Sequence, residues 1–222
     1  TLETKATVEQ DGNNNSVVLD QNDYSGNNSA NVAFIKQLGN NNWANVEQKG
    51  DTGDADIRQL NSNSSGVILS QGPSWNHNTI VRQEFTNNSL VAIDQQSSTA
   101  EVYQYDEDNS RVFINQNTFA TFPSKPSRGD YAKVNQRYGS NNDVFISQDS
   151  ETRNDLTRSE AYVTQEYGNS NLASISQNGR NHYASIYQNG NRNSATIMQE
   201  NENNTTSVTQ NGNNNSTLVI QE

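Results

Sequence analysis

The side chains in this sequence that most often carry chemistry are few: two histidines, His77 and His182, and the acidic run Asp106-Glu107-Asp108. Histidines with carboxylates can hold a metal ion, and a pair of carboxylates can hydrolyse a glycosidic bond. The spacing argues against both. Each histidine stands six residues before a glutamine, far from the other along a repeating chain, in a slot that is otherwise mostly Asn or Ser. Both are read as substitutes for that ladder residue. The acidic run falls between two strand-like segments and reads as a solvated turn. There is no cysteine, and neither a Gly-Gly-x-Gly-x-Asp calcium repeat nor a phosphate-cradling glycine loop occurs. Neither catalysis, a metal nor a cofactor is expected.

The functional group that does recur at fixed spacing is the side-chain amide, which donates and accepts hydrogen bonds at once. Gln10, Gln21, Gln37, Gln48, Gln59, Gln71, Gln83, Gln95, Gln104, Gln116, Gln136, Gln148, Gln165, Gln177, Gln188, Gln199, Gln210 and Gln221 each close a seven-residue run. Two residues earlier stands Val, Ile or Leu; four earlier stands Ala or Val, with Thr79, Thr206 and Thr217 as the exceptions. Six earlier, Asn or Ser dominates: Asn15, Asn31, Asn42, Ser65, Ser89, Ser110, Asn142, Asn171, Asn193, Asn204 and Asn215. A period of two is that of a strand whose alternate side chains share one face. Between runs lie arcs bearing Gly12, Gly39, Gly50, Gly179, Gly190 and Gly212, suited to left-handed backbone.

Stacked identical amides form ladders only if something holds the runs in register, and the spacing between glutamines says what does. From odd to even run the step is always 11 or 12 residues, whereas from even to odd it ranges from 9 to 20. Insertions thus fall on one kind of arc, as in a solenoid with two strands per coil. Odd runs carry small residues at the fourth position before Gln, as in Ala33 and Ala132, where even runs often carry Val, as in Val67 and Val144. Small opposed to large lets two sheets close without voids. The expectation is an all-β, two-sheet parallel β-solenoid of about nine coils, amyloid-like in its cross-β stacking. It forms one domain over residues 1–222 with edge insertions at 22–30, 117–130 and 149–158. Pro123 and Pro126 sit in the second insertion, and Pro73 is expected in an arc.

Composition fits such a thin stack better than a globular core. Apolar residues make up 30% of the chain, and the mean hydropathy is −0.99. A repeated layer reuses the same few inward residues and needs no thick core. The net charge of −11 argues against a nucleic-acid partner. No apolar run reaches the roughly 20 residues of a membrane span. The residues from Thr1 onward show no basic-then-apolar signal pattern, so a secreted protein is expected to be represented in its mature form.

The run Gln-x-Gly-x-x-Asn, as at Gln10 to Asn15, Gln37 to Asn42, Gln188 to Asn193 and Gln210 to Asn215, resembles the curlin repeat of the major subunit of bacterial curli fibres. Ser65-x-Val67-x-Leu69-x-Gln71 and Asn42-x-Ala44-x-Val46-x-Gln48 are similar to other strands of that repeat. The resemblance covers nearly the whole chain, with an extended number of repeats. It implies a secreted subunit that self-assembles into an extracellular functional amyloid on the bacterial surface, serving biofilm matrix and adhesion. It also implies a surface nucleator subunit and an outer-membrane secretion pore as partners.

Independently of the family, the pattern runs from Thr4 to Gln221 and is expected to leave sheet edges that stack on a copy of the chain. Ala6 and Val8 at one end and Leu218, Val219 and Ile220 at the other are the expected polymerisation ends. Outward positions of even runs include Trp43, Ile68, Phe113 and Phe145, and those of odd runs Lys36, Asp56, Arg58 and Lys133. The even face could bundle filaments; the plainer reading is that such residues are good strand formers. The alternative function is a soluble monomeric solenoid binding a surface such as a glycan or ice, though a regular outward Thr ladder is missing. A polysaccharide-processing β-helix enzyme would need a charged cleft that the sequence does not organise.

Overall fold

The computed structural model describes residues 4–22, 30–50, 52–74, 77–96, 98–120, 129–152 and 158–222. Eighteen strands form two parallel sheets of nine. One sheet holds β1 (Lys5–Asp11), β3 (Val32–Asn40), β5 (Gly53–Asn63), β7 (His77–Glu84), β9 (Thr99–Asp108), β11 (Tyr131–Ser140), β13 (Glu160–Glu166), β15 (Tyr183–Asn189) and β17 (Thr205–Asn211). The other holds β2 (Ser16–Asn22), β4 (Trp43–Gly50), β6 (Gly66–Ser74), β8 (Leu90–Gln96), β10 (Arg111–Ala120), β12 (Asp143–Thr152), β14 (Leu172–Arg180), β16 (Ser194–Glu202) and β18 (Ser216–Gln221). Odd strands pair only with odd and even with even. Each odd-even pair is therefore one coil, and nine coils at about 4.8 Å each stack to roughly 43 Å.

Register follows the glutamines throughout. Gln10 lies opposite Gln37, Gln37 opposite Gln59, and Gln21 opposite Gln48. The core is a thin double file, with Ile35, Ile57, Val102, Val134 and Ile186 from the odd sheet and Val67, Leu69, Val112 and Ile146 from the even. Ala132 and Ala161 of the odd sheet and Val112 and Val144 of the even sheet are all fully buried. Period-two alternation decides which side chains enter this space, because a shift by one residue would send every amide to solvent.

The arcs turn through left-handed backbone. All six arc glycines have positive φ, from 104° at Gly212 to 154° at Gly50. Stacking makes four of them irreplaceable: a Cβ on Gly12, Gly39, Gly179 or Gly190 would lie 1.9, 2.0, 1.8 or 2.1 Å from a carbonyl oxygen of the next coil, that of Gly39, Ser62, Asn201 or Gly212.

The structure corrects the edges of the insertions. Strand pairing continues past the closing glutamine, so Asn117 to Ala120 pair with Asp149 to Thr152 before the chain leaves the sheet. Both neighbouring insertions keep their backbone groups bonded for another turn of the ladder, since an unpaired backbone group beside a paired one costs free energy. Asn22 likewise ends β2 and Pro73 falls inside β6 rather than in an arc; Pro73 lies near the end of that strand, where one missing donor is tolerated. Pro123 and Pro126 lie outside the described residues.

Candidate functional site

The site is distributed along the axis: two files of glutamine, buried except at Gln10, Gln21 and Gln221 in the terminal coils. In the odd file, Gln10 Nε2 donates to Gln37 Oε1 at 2.7 Å, and the chain of bonds continues through Gln59, Gln83, Gln104, Gln136, Gln165 and Gln188 to Gln210 at 2.8–2.9 Å. In the even file, Gln21, Gln48 and Gln71 link in the same sense, as do Gln95, Gln116, Gln148, Gln177, Gln199 and Gln221. Every bond points the same way, donor in one coil and acceptor in the next. The second amide hydrogen reaches a backbone carbonyl in several of them, as when Gln59 Nε2 donates to Ser65 O at 2.8 Å. A buried amide is thereby satisfied without leaving its layer.

The three threonines that break the Ala/Val rule have a role that sequence periodicity did not reveal. Between Gln71 and Gln95 the direct bond is replaced by a relay: Gln71 Nε2 donates to Thr79 Oγ1 at 3.0 Å, and Thr79 Oγ1 donates to Gln95 Oε1. Thr206 accepts from Gln199 and donates to Gln221, and Thr217 accepts from Gln210. A hydroxyl of Val-like shape both accepts and donates, so it bridges the file without enlarging the layer.

The Asn/Ser positions behave differently from a simple amide stack, which corrects the expectation. Asn142 Oδ1 accepts from the backbone N of Asn171 at 3.0 Å, Asn171 Oδ1 from Asn193 N at 2.9 Å, and Asn193 Oδ1 from Asn215 N at 3.1 Å. Their Nδ2 groups cap arc carbonyls, as Asn171 does to Gly190 O at 2.7 Å. Asn31 and Asn42 do the same to Gly50 O and Ser62 O. Ser65, Ser89 and Ser110 use their hydroxyls on neighbouring arcs. Asn15 and Asn215, in the terminal coils, are half-buried; each bonds an arc carbonyl of its own coil, at Asp11 and Asn211, and each also reaches the adjacent coil, Asn15 Nδ2 donating to Gly39 O at 2.9 Å and Asn215 Nδ2 to Asn193 Oδ1 at 3.0 Å. Asn204 is half-buried and donates to Glu200 O. An outer file of arc side chains, Asn13, Asn40, Asn63, Asn87 and Asp108, forms a side-chain ladder of its own. The short Asn side chain reaches the backbone of the turn, whereas the longer Gln reaches its own kind across a layer.

Both histidines occupy ladder slots. His77 and His182 are buried, with Nε2 against Gly72 O at 3.1 Å and Asn178 O at 3.3 Å. Burial lowers both pKa values, that of His77 to about 4. Asp130 and Ser159 fill the same slot between them, with Asp130 Oδ1 accepting from Ser159 N at 3.0 Å.

The acidic run is not a uniformly solvated turn. Asp106 and Asp108 are exposed, but Glu107 is fully buried. Asp106 adopts φ 54°, as Asn61 and Phe85 do at the matching place in the two coils before, and the kink turns the next residue inward. Ser62 and Thr86 are the equivalents of Glu107 and are also buried. Glu107 Oε2 accepts from Ser110 Oγ at 2.6 Å and Asn142 Nδ2 at 3.1 Å, while Oε1 has no donor. Burial pushes its pKa up to about 7 against those two hydrogen bonds, with the nearby Asp106 and Asp108 charges adding to the rise.

At the ends, β1 and β2 on one side and β17 and β18 on the other have a strand neighbour on one face only. Ala6 and Val8 lie exposed in β1. In β18 the inward Val219 is half-buried, while Leu218 and Ile220 stand on the outer face of the same edge strand. On the outer faces, Phe113 and Phe145 stack at 5.3 Å. They border a shallow apolar groove of about 590 Å³ with Ile68 and Ala92. The odd face carries aromatic files as well as charge: Tyr131, Tyr162 and Tyr183 lie 5.5–5.6 Å apart, and Arg58 covers Phe34. Among the described residues no group of three or more His, Cys, Asp or Glu could hold a metal.

This arrangement defines a class, the parallel two-sheet β-solenoid whose coils are tied by polar side-chain ladders of one direction. Within it, residues 30–60 and residues 168–200 match the family model described as the curlin associated repeat. Those two segments carry the curlin associated repeat, and the unmatched coils between them keep the same register of Gln upon Gln. No curated protein matches the chain.

Proposed function

We propose that the protein is the structural subunit of an extracellular, curli-like amyloid fibre, built by stacking the last coil of one copy on the first coil of the next. The observation that carries this reading is the polarity of the ladders. At one end Gln10 Oε1 and Gln21 Oε1 receive no donor among the described residues, while both Nε2 groups donate onward. At the other end Gln210 Nε2 and Gln221 Nε2 reach only backbone carbonyls and the Thr217 hydroxyl. A head-to-tail contact sets donors against acceptors; a head-to-head contact would set like against like. Parallel edge strands also invite pairing with another strand of the same kind. Gly212 keeps φ 104° although a Cβ there would meet nothing closer than 3.8 Å, whereas at Gly190 the next coil fills that space. A further coil on Gly212 would use it as Gly190 is used. Secretion through an outer-membrane pore and a surface nucleator are the partners this reading carries with it.

Purified chain should give thioflavin-positive filaments under the electron microscope. Gln210→Glu with Gln221→Glu replaces both end donors by carboxylates that would face the next copy's acceptors. Growth of this variant on wild-type seeds should fall about tenfold or more. Growth at the wild-type rate would show that copies do not join through these ends.

A further inference from the structure

The arc after the odd strands holds a row of aromatic rings that coil stacking does not require. Phe85, Tyr105, Tyr138 and Tyr167 lie on four successive coils with ring centroids 5.6, 5.4 and 5.1 Å apart. Phe85, Tyr138 and Tyr167 have φ of 55°, 60° and 52°. Four other coils place Gly12, Gly39, Gly190 and Gly212 at this point, two residues after the ladder glutamine. The remaining non-glycine residues with positive φ are Asn, Ser and Asp, apart from Arg192. A bulky side chain in left-handed backbone is strained, and such strain gathers at functional sites. Burial does not offset it here, since Phe85, Tyr138 and Tyr167 stay 49%, 43% and 62% exposed.

A cleft of about 280 Å³ opens beside the row, lined by Arg82, Glu84, Tyr103, Arg137 and the rings of Tyr105 and Tyr138. Most described cations lie within ion-pair distance of a carboxylate, as Lys133 does with Glu101 and Arg111 with Asp143. Arg82 and Arg137 have no such partner among the described residues, in a chain of net charge −11. Arg82 lies over the Tyr103 ring at 5.7 Å, and its buried Nε has no acceptor. The cleft therefore offers flat apolar faces, two guanidinium donors with unused capacity and one carboxylate acceptor. A ligand that matches must be a succession of rings with apolar faces and oxygen-rich rims.

We infer that this arc binds an extended polysaccharide, its pyranose rings lying along the aromatic row. Its ring oxygens, hydroxyls or carboxylates accept from Arg82 and Arg137, and a hydroxyl donates to Glu84. The ring spacing is comparable to the advance per sugar in an extended hexose chain, so a strand running parallel to the solenoid axis meets one coil per sugar. A nucleic acid also offers flat rings and anionic oxygens. It would bring a continuous phosphate charge against a strongly acidic protein, next to Asp106, Asp108 and Glu166. The site lies on the flank of the stack, away from both ends, so it goes beyond the fibre reading and stands whether or not copies join.

The test is fluorescence anisotropy of labelled hexasaccharides with the full chain. A cellohexaose forms the neutral arm, a hexauronate the acidic arm, and a dT oligomer the competing class. At least one saccharide should bind. Tyr138→Asn with Tyr167→Asn keeps residues that accept positive φ and should weaken binding about tenfold, two ring contacts' worth, with circular dichroism unchanged. Arg82→Gln with Arg137→Gln should weaken the hexauronate more than cellohexaose if the acidic sugar is the ligand, and both about equally if the neutral one is. The idea is overturned if neither saccharide binds, if the Tyr and Arg variants both bind like the wild type, or if the dT oligomer binds more tightly than both sugars.

Discussion

Glu107 should make the solenoid more stable in mild acid than at neutral pH, against the usual behaviour of a buried carboxylate that is paired. Its pKa in the fold is about 7, against an ordinary value of 4.5, because burial disfavours the charged form. The folded chain therefore holds a proton that the unfolded chain has released between those two values. Stability is full below about pH 4.5 and declines as pH rises through 7, the slope being set by the difference in bound protons. A shift of this size corresponds to about 3 kcal/mol. Only Ser110 and Asn142 bond the carboxylate, and its Oε1 has no donor. Glu107→Gln keeps an acceptor for both partners and removes the charge, so the variant should be more stable than wild type by about 2–3 kcal/mol at pH 8 and nearly equal to it at pH 4.5. Urea unfolding of both proteins at the two pH values supplies the comparison, because the difference between them cancels every other titrating group. An identical pH dependence in wild type and variant would refute the reasoning.

His77 should act in the opposite direction: its pKa is depressed to about 4 by burial, so its contribution is lost as pH falls from about 6.5 toward 4. His77→Asn, which restores the usual ladder residue, should remove that loss, gaining about 2–3 kcal/mol at pH 4 relative to pH 8 by the same unfolding assay. Gln136→Leu fills the layer but orphans the Gln104 donor and the Gln165 acceptor, both buried, and should cost about 2–4 kcal/mol in urea unfolding. Gly190→Ala places a Cβ 2.1 Å from Gly212 O in left-handed backbone and should cost about 2 kcal/mol or more, read as a lowered unfolding midpoint.

Period-two alternation, the offsets before each glutamine and the one-sided irregularity of the spacing already dictate two parallel sheets of in-register strands, and the structure has that arrangement. These features are local: alternation says which face a side chain takes, and a conserved step length says which strands share a sheet. What tertiary structure alone decided lies between coils. The relay through Thr79, the turn of Asn142 and Asn171 toward backbone and the burial of Glu107 all involve residues 16 to 35 positions away. So does the meeting of Phe85, Tyr105, Tyr138 and Tyr167, which stand at two different offsets from their glutamines and come together only because left-handed arcs re-aim them. A repeat read along the chain reports composition slot by slot. Side-chain reach, the φ of each arc and the layer above determine whether a slot holds a ladder amide, a buried acid or an exposed ring.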